Sequence, residues 1–440
     1  MTVGLTAIAG CSPDEPSGKP TDTSTDLPGI TQAQIDEAMN TPTTLDYWAW
    51  VSDLQNQVDL FTAKYPAMTV NLVNNGDSAK QIDKLRAALQ SNRDVPDVVQ
   101  LGYDYLPGFL QTDSLLDLTP YGAAELKPLF TAGTWGQVAL NGGIWAIPQD
   151  SGPMGMLYRT DLFKQAGVEA PKTWDDFAVA AKAIHDATGG CIANLPGNDW
   201  PMMIALFDQA GAKPFDFDGA ETLTINIDSP QAQKVVKFWQ ELIQKDLVCV
   251  TPDFTDDWYQ GLARGQYASW ITAAWGPMFL EGVAADTSGN WAATDMPQWN
   301  AGERVSANWG GSTNAVVKAS DTPIQAYMLA KFINSDPEST LKLANEQSLF
   351  PVTVATLEDP AFTNYVSEFF GGQRVNETFA DIALTVSTNT RHTPIGDFLN
   401  QSQNDTLGKA IAEKGDMVAG LTAWQEAVVA YAQQQGFTVK

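Results

Sequence analysis

Tryptophan is the residue type whose number and placement most suggest a binding chemistry in this chain. The sequence has 14 tryptophans in 440 residues. They include Trp275 before a Gly-Pro pair, Trp309 before a Gly-Gly pair and Trp200 after an Asn-Asp pair. An aromatic plate flanked by carboxylates and amides suits a pyranose ring, which has an apolar C–H face and a rim of hydroxyls. Tryptophans in such loops are therefore candidate ligand contacts.

A second group of tryptophans is predicted to pack in the core. Trp174, Trp239 and Trp424 lie in helical patterns, and large aromatic side chains dominate protein cores. Trp48 and Trp50 differ, because they stand two residues apart at the end of a short aromatic strand and so share one of its faces. We count this pair among the candidate ligand contacts, since binding residues concentrate at strand ends and in loops.

The charge balance excludes one class of partner. The chain has 25 Lys and Arg against 52 Asp and Glu, a formal net charge of −27. Such a surface repels phosphate backbones and anionic lipids, whereas nucleic-acid binding needs a basic patch. We therefore expect no nucleic-acid partner, and we interpret the acidity as a means of keeping an exported protein in solution.

Catalytic and metal-binding motifs are missing from the sequence. With two histidines and no C-x-x-C pair, a zinc site of the usual Cys/His type is excluded. The chain has no Gly-x-Ser-x-Gly elbow, no His-Glu-x-x-His and no Walker A loop. Its many acids include no pair that a motif singles out for glycoside hydrolysis. We predict that the protein is not an enzyme and that it uses no cofactor. No metal ligands are identified, and the sequence does not specify whether the protein depends on calcium or another metal.

The N-terminal segment predicts a lipid anchor. Residues 1–10 are apolar and small, and the run Ile-Ala-Gly before Cys11 resembles the lipobox of bacterial lipoproteins, in which the cysteine is acylated. Residues 12–29 are rich in Pro, Ser, Thr, Asp and Gly, which predicts a disordered tether. A basic n-region is missing, so we infer that the recorded start lies inside the signal. The expected location is the extracellular face of the cytoplasmic membrane of a Gram-positive bacterium, with lipid attached at Cys11.

The other two cysteines, Cys191 and Cys249, leave two possibilities open. They could form a disulfide in an oxidising compartment, or they could remain two buried thiols. Nothing in their sequence context favours one possibility over the other, so the sequence makes no prediction about this pair.

The first folded residues alternate between strand and helix patterns. Residues 43–50 predict an aromatic strand, residues 54–65 a helix, and residues 68–73 an alternating β-branched strand. Residues 78–91 carry apolar side chains at helical spacing, and residues 96–101 predict a third strand. Strand–helix–strand alternation with short links predicts a parallel α/β sheet.

Three sequence blocks in the middle of the chain are specific. They read GGIWAIP over residues 142–148, MLYRTDLF over residues 156–163 and PKTWDDF over residues 171–177. In this order and at this spacing they resemble the extracellular solute-binding family typified by maltose-binding protein. In the third block Thr173 is a favourable helix N-cap, and two acidic residues follow it in the first turn. The resemblance extends from about residue 43 to the C-terminus and is weakest after Pro360.

The resemblance implies an α/β protein with the two-lobe, type II periplasmic-binding-protein fold. Two or three chain crossings would form a hinge, and the ligand would bind in the cleft between the lobes. The expected division of the chain is a lipoprotein signal remnant at 1–11, a disordered tether and short helix at 12–41, lobe 1 at 42–149 plus 312–350, and lobe 2 at 150–311 plus 351–440.

The resemblance also implies a function and a set of contacts. The chain would be the substrate-binding component of an ABC transporter, a monomer that captures an oligosaccharide outside the cell and delivers it to the membrane subunits of the importer. Closure of the cleft would distinguish the loaded protein from the empty one. The expected ligand contacts are Trp48, Trp50, Asn75, Asp77, Tyr103, Asp104, Gln149, Asp150, Asn198, Asp199, Trp200, Trp275, Gly276, Asn308 and Trp309.

Two alternative functions remain open. The same fold could bind a non-sugar solute such as a peptide or a polyamine, and an amine would need an acidic cage. A secreted carbohydrate-active enzyme also uses tryptophan plates, and turnover of a sugar by the pure protein would reveal it. Nothing in the sequence specifies which sugar, linkage or chain length is bound, because the chemistry of the site sets those within one fold.

Overall fold

The computed structural model describes Met1, residues 29–76 and residues 78–440. Two predicted functional residues, Cys11 and Asp77, lie outside the described residues. The strands are β1 Thr43–Ala49, β2 Met68–Asn74, β3 Val98–Gly102, β4 Ala139–Leu140, β5 Gly143–Ile144, β6 Ile147–Pro148, β7 Met154–Arg159, β8 Ala193–Asn194, β9 Phe215–Phe217, β10 Thr222–Ile225, β11 Val248–Cys249, β12 Ser269–Ala273, β13 Trp291–Asp295, β14 Ser312–Val316 and β15 Thr438–Val439.

Helices cover both faces of the larger sheets. In chain order they are α1 Gln32–Asn40, α2 Gln55–Lys64, α3 Ser78–Ser91, α4 Leu106–Gln111, α5 Ala132–Val138, α6 Thr160–Ala166, α7 Trp174–Thr188, α8 Trp200–Gln209, α9 Pro230–Gln244, α10 Asp256–Arg264, α11 Gly276–Val283, α12 Pro323–Ser335, α13 Pro337–Glu346, α14 Val354–Leu357, α15 Pro360–Thr363, α16 Val375–Ala383, α17 Gly396–Gln403, α18 Lys409–Ala412 and α19 Met417–Gln434.

The first sheet has five strands in the order β2-β1-β3-β14-β6. Strand β1 pairs in parallel with β2 and β3, as the strand–helix–strand alternation predicts. The returning strand β14 is antiparallel to both β3 and β6. Leu45 and Tyr47 of β1, together with Leu85 of α3, are fully buried, so the helices cover this sheet by their apolar faces.

The second sheet is built on the antiparallel strands β12-β7-β13. The parallel pair β8–β11 continues it, because the backbone N–H of Ser269 donates to Ile192 O at 2.7 Å. Helix α7 packs on this sheet and begins at Thr173, whose hydroxyl accepts from Asp176 N at 3.0 Å while the Asp176 carboxylate accepts from Thr173 N at 3.1 Å. This reciprocal capping box confirms the predicted helix start.

Buried side chains form separate cores on the two sheets. The first core runs from Met39 to Ile147 and adds residues 315–343 and Val352. The second core fills both faces of the second sheet, with Met156 of β7 on one face and Leu157 on the other. Trp174, Trp239 and Trp424 are buried in the second core, which confirms their predicted packing role. We propose that these cores are the two lobes with the residue limits given above, except that Val352, which those limits assign to lobe 2, packs in the first core.

The structure decides between the two possibilities for the cysteine pair. Cys191 and Cys249 form a disulfide with their Cα atoms 5.7 Å apart. The bond joins the segment before β8 to the end of β11, so it closes a loop across the second sheet. A covalent link of this kind stabilises a fold mainly by restricting the unfolded chain.

The described residues contain no helix that is both long enough and apolar enough to cross a membrane.

Candidate functional site

Three chain segments pass between the two cores and contact one another. The backbone N–H of Gln149 donates to Ser312 O at 2.9 Å, and the N–H of Ser151 donates to Phe350 O at 3.2 Å. The N–H of Trp309 donates to Gly152 O at 2.8 Å. Residues 149–153, 308–312 and 350–352 therefore form a hinge of hydrogen-bonded crossings, within the two or three that the resemblance implies.

Two glycines allow these crossings to pack closely. A Cβ at Gly152 would lie 1.9 Å from the carbonyl oxygen of Trp309, which is far inside van der Waals contact. Gly311 has a φ of +102°, and a Cβ there would lie 2.7 Å from Asp150 O. Gly152 is required by the short distance alone, whereas Gly311 is required by both the short distance and the left-handed backbone conformation.

Gln149 and Asp150, which the sequence predicts as ligand contacts, belong to this hinge. Gln149 is buried, and its Oε1 accepts from the Ser312 hydroxyl at 3.2 Å. The Asp150 carboxylate accepts from the same hydroxyl. Burial raises the pKa of Asp150 to about 6, although the hydrogen bonds from Ser312 oppose the shift. Neither residue lines the cavity described next.

A cavity of about 590 Å³ lies between the two cores. Its volume falls in the range of about 300–1,000 Å³ that small-molecule sites usually occupy. The first core contributes Arg86, Asp104, Tyr105 and Gly108 to its wall. The wall on the second core is formed by Asn198, Asp199, Trp200, Pro201, Phe254, Trp275, Trp309, Thr393, Pro394, Gly396, Asp397 and Asn400. A smaller chamber of about 150 Å³ adjoins it, and Trp200, Trp309 and Asp104 line both.

Aromatic rings form the second-core wall. The rings of Trp275 and Trp309 meet edge to face with centroids 4.7 Å apart, and Trp275 Nε1 donates to Trp309 O at 3.1 Å. The Phe254 ring lies 6.1 Å from Trp275 and is 43% exposed. Phe254 has a φ of +56°, a left-handed conformation that is rare and strained for an aromatic residue. The strained backbone at Phe254 therefore accompanies an exposed ring that lines the cavity.

Two loops hold Trp200 and Phe254 in place. Asp199 caps helix α8, because its carboxylate accepts from Met202 N at 2.8 Å. Asn198 joins this loop to the next, since its Oδ1 accepts from Asp253 N at 3.1 Å. The capped helix and the paired loops fix the two aromatic rings relative to each other.

Carboxyl groups beside these rings have raised pKa values. Burial, followed by the charge of Asp253, raises the pKa of Asp199 well above its usual range. Burial raises the pKa of Asp253 to about 6 against hydrogen bonds from Asp199 and Asn198. On the opposite wall burial raises the pKa of Asp104 to about 6. The touching acids Asp199 and Asp253 therefore hold a proton more readily than two isolated carboxylates would.

One ion pair spans the cavity. The guanidinium of Arg86 on α3 lies 3.2 Å from the carboxylate of Asp397 on α17. Both side chains are largely exposed, so the pair contributes little stability. The described residues contain no group of three or more His, Cys, Asp or Glu that could hold a metal ion.

The structure brings part of the predicted contact set together. The residues that line the cavity or the adjoining chamber are Tyr103, Asp104, Asn198, Asp199, Trp200, Trp275, Asn308 and Trp309. They come from four separate stretches of the chain. Their role as ligand contacts stays a prediction, which their common position supports.

Other predicted contacts lie away from the cavity lining. Trp48 is 5% exposed and packs in the first core with the Lys84 ammonium 4.1 Å from its ring, so the structure shows a core residue in place of an exposed plate. Trp50 presents its backbone N–H to Gln100 Oε1 at 3.1 Å. The Asn75 side chain is bonded to Gln81 and Lys84, and Gly276 is buried at the start of α11.

Sequence reasoning missed several lining residues. Phe254 stands in a loop after a Pro-Asp pair and directly before Thr255, the N-cap of α10, so the turn context that identified Trp275 would also have found it. Arg86 and Asp397 had no such local signal, because each lies on the surface of an ordinary helix. Asp208 and Arg391, which line the smaller chamber, are likewise distant in sequence.

Comparison with known proteins gives the class to which this two-core architecture belongs. Residues 46–339 match the family model described as bacterial extracellular solute-binding protein. The match covers more than half of the chain, and the chain belongs to this family. The two-lobe, type II α/β fold implied by the sequence blocks is thereby confirmed.

Three similar proteins make the comparison more specific. A solved ABC-transporter-associated binding protein of B. animalis subsp. lactis Bl-04, in complex with β-1,6-galactobiose, is 31% identical, covers 91% of this chain and 100% of its own, and superposes with a TM-score of 0.74. The lactose-binding protein of Rhizobium radiobacter is 28% identical over 77% of this chain and 82% of its own length. The arabinooligosaccharide-binding protein of Halalkalibacterium halodurans is 25% identical over 83% and 85%.

Proposed function

We propose that this protein is the substrate-binding component of an ABC importer that captures an oligosaccharide outside the cell. The observation that carries the proposal is the cavity between the two cores, where Trp200, Phe254 and Trp275 stand beside carboxyl and amide groups. Aromatic rings suit the C–H face of a sugar, and acids and amides suit its hydroxyls. The similar proteins support the choice of cargo, since each is named for a sugar or was solved with one.

Closure of the hinge would couple binding to delivery. A ligand in this cavity can contact both walls only in a conformation that holds the two cores close together, as the Arg86–Asp397 ion pair does here, so binding favours the closed state. Gly152 and Gly311 let two of the three crossings pack closely, and we expect the cores to move about these crossings. The membrane subunits of the importer would then accept the closed, loaded protein.

The two acids that contact each other beside the cavity are not spaced as a glycosidase pair. Catalytic carboxyl groups of glycosidases stand about 5–9.5 Å apart so that a sugar bond or a water fits between them. Asp199 and Asp253 instead contact each other through a hydrogen bond. That contact leaves no space between these two acids for a scissile bond, and their raised pKa values make them poor anionic partners for a polyamine.

We also propose that Cys11 carries a lipid that holds the protein, as a monomer, at the extracellular face of a Gram-positive membrane. The disulfide between Cys191 and Cys249 supports an oxidising compartment. Replacing Cys11 by Ser should release the protein into the culture medium, and labelled palmitate should mark only the unaltered chain. Palmitate in the Cys11→Ser protein would contradict the proposed attachment.

The cargo can be tested by calorimetric titration of the pure protein. The panel would contain lactose, β-1,6-galactobiose, arabinotriose and diacetylchitobiose, with spermidine and a tripeptide as non-sugar controls. We expect saturable binding of at least one sugar, no binding of the controls and recovery of the sugar intact. Binding of spermidine or the peptide alone would overturn the sugar cargo, and cleavage of a bound sugar would show an enzyme.

A further inference from the structure

The small chamber behind Trp200 and Trp309 contains polar groups that the rest of the fold leaves unused. Its volume is about 150 Å³, and the two indole side chains line both the chamber and the main cavity. A liquid water occupies about 30 Å³, so the chamber has room for about five waters. That space suits the hydroxyl-bearing edge of one sugar unit and not a whole oligosaccharide.

Asp208 is the buried acid of this chamber. It lies near the end of α8 and is 1% exposed, and neither of its carboxylate oxygens has a hydrogen-bond partner among the described residues. Burial raises its pKa to about 7, against the nearby Thr390 hydroxyl and Arg391 guanidinium. The Thr390 hydroxyl is also buried and, within the part of the chain that the structure describes, has no partner of acceptable geometry.

Arg391 supplies the complementary donors. Its Nη1 donates to the backbone oxygens of Thr388 and Thr390, at 3.1 and 2.8 Å. A guanidinium has five N–H groups, and the residues described here offer no acceptor to the others. The chamber therefore places the unpaired carboxyl oxygens of Asp208, which can accept hydrogen bonds, beside the remaining N–H groups of Arg391, which can donate them.

We propose that this chamber receives the hydroxyl edge of the terminal sugar unit, with Asp208 accepting hydrogen bonds from hydroxyls and Arg391 donating to them. The inference rests on the proposed function and adds the residues that select the cargo. Sugar hydroxyls both donate and accept, which matches the two unused groups. The Arg391 guanidinium offsets the charge of Asp208, and Asp104, which lines both the chamber and the main cavity, offers a further acceptor for sugar hydroxyls.

A structural role for Asp208 makes a different prediction from a binding role. A buried carboxyl without partners is unfavourable, so an amide of the same size should fold at least as well when no contact depends on the charge. If the fold instead needs the Asp208 carboxylate, its replacement by an amide should lower the melting temperature. Binding and stability measured together therefore separate the two roles.

The test compares Asp208→Asn with a matched control, Asp228→Asn. Asp228 is a half-buried acid of the same core whose partners are Gln233 and Thr422, and it lines neither the cavity nor the chamber. β-1,6-Galactobiose and lactose would be titrated into each full-length protein at pH 7.5. We expect at least a tenfold loss of affinity in Asp208→Asn with an unchanged or higher melting temperature, and unchanged affinity in Asp228→Asn.

Unchanged affinity in a folded Asp208→Asn protein would show that the chamber holds only water and would overturn the inference. If Asp208→Asn does not fold, Thr390→Val replaces it, with about a threefold loss expected and an unchanged affinity counting against the chamber. If the unaltered protein binds no sugar of the panel, the proposed function itself falls. The two failures are therefore distinguishable.

Discussion

The two walls of the main cavity differ in chemistry. The first core presents Arg86, Asp104 and Tyr105, which are charged or polar, from α3 and the turn after β3. The second core presents the rings of Trp200, Phe254 and Trp275 beside Asn198, Asp199, Asp397 and Asn400. A capped helix and paired loops hold Trp200 and Phe254, and Trp275 is held by its hydrogen bond to Trp309 O. The difference indicates that a sugar would stack on the second core first and gain further directional hydrogen bonds from the first core on closure.

Removal of an aromatic ring from the second wall should have the largest effect. Trp275→Ala removes a half-buried plate that packs on Trp309 and Phe254, and we expect sugar affinity to fall at least about tenfold, or about 1.4 kcal/mol. Titration calorimetry with intact near-ultraviolet circular dichroism would measure it. Trp145→Ala, which removes a half-buried indole outside this cavity, is the control and should bind normally. Unchanged affinity in folded Trp275→Ala would contradict the stacking role.

Acidification should weaken binding and strengthen the ligand-free fold. The pKa values of Asp104 and Asp208 are raised to about 6 and about 7, so both gain protons between pH 7.5 and 5. Hydroxyl donors prefer the ionised acids, and we expect affinity to fall by about fivefold or more over this range.

The stability of the ligand-free protein should move in the opposite direction. A carboxyl whose pKa is higher in the folded state binds more protons there, so its contribution to stability is lost as pH rises through that pKa. The melting temperature should therefore increase as the pH is lowered from 7.5 to 5.5, the range in which the acids with raised pKa values gain protons. Scanning calorimetry without ligand measures it, and a melting temperature that falls over this interval would contradict the assigned shifts.

Removal of the acid from the first wall should have a smaller effect than loss of the ring. Asp104→Asn keeps the size of the side chain but weakens its acceptor, and we expect about a fivefold loss of affinity from a hydrogen-bond difference of about 1 kcal/mol. Because this wall engages on closure, the loss should appear as faster dissociation in stopped-flow measurements. A slower association with unchanged dissociation would instead indicate that the first core makes the initial contact.

The ion pair across the cavity should matter least. Arg86 and Asp397 are 49% and 70% exposed, and exposed pairs contribute about 0–1 kcal/mol. Arg86→Ala should change affinity less than about threefold, with any change disappearing at high salt. A larger loss that persists in salt would show that Arg86 contacts the sugar directly, and the first wall would then be more than a closing surface.

Local patterns predicted the scaffold of the site better than the site itself. The alternation over residues 43–101 predicts the parallel strands, and Thr173 predicts the start of α7, because each depends on neighbours in sequence. The turn contexts of Trp200, Trp275 and Trp309 predicted indoles that line the cavity. Trp48 shows the limit of this reasoning. The sequence identified the end of its strand, but it did not reveal that Lys84 of α3 covers the indole ring and leaves it in the first core.

The sequence by itself determined the α/β alternation, the family blocks, the acidic charge and the tryptophans that stand beside turns. Only the tertiary structure decided that Cys191 and Cys249 are bonded, that Gln149 and Asp150 lie in the hinge, and that Asp208 shares a chamber with Arg391. The reason is physical: periodicity and capping act between near neighbours along the chain. Burial, partner choice and pKa depend on which distant segments pack against a side chain, and that is set only when the whole fold forms.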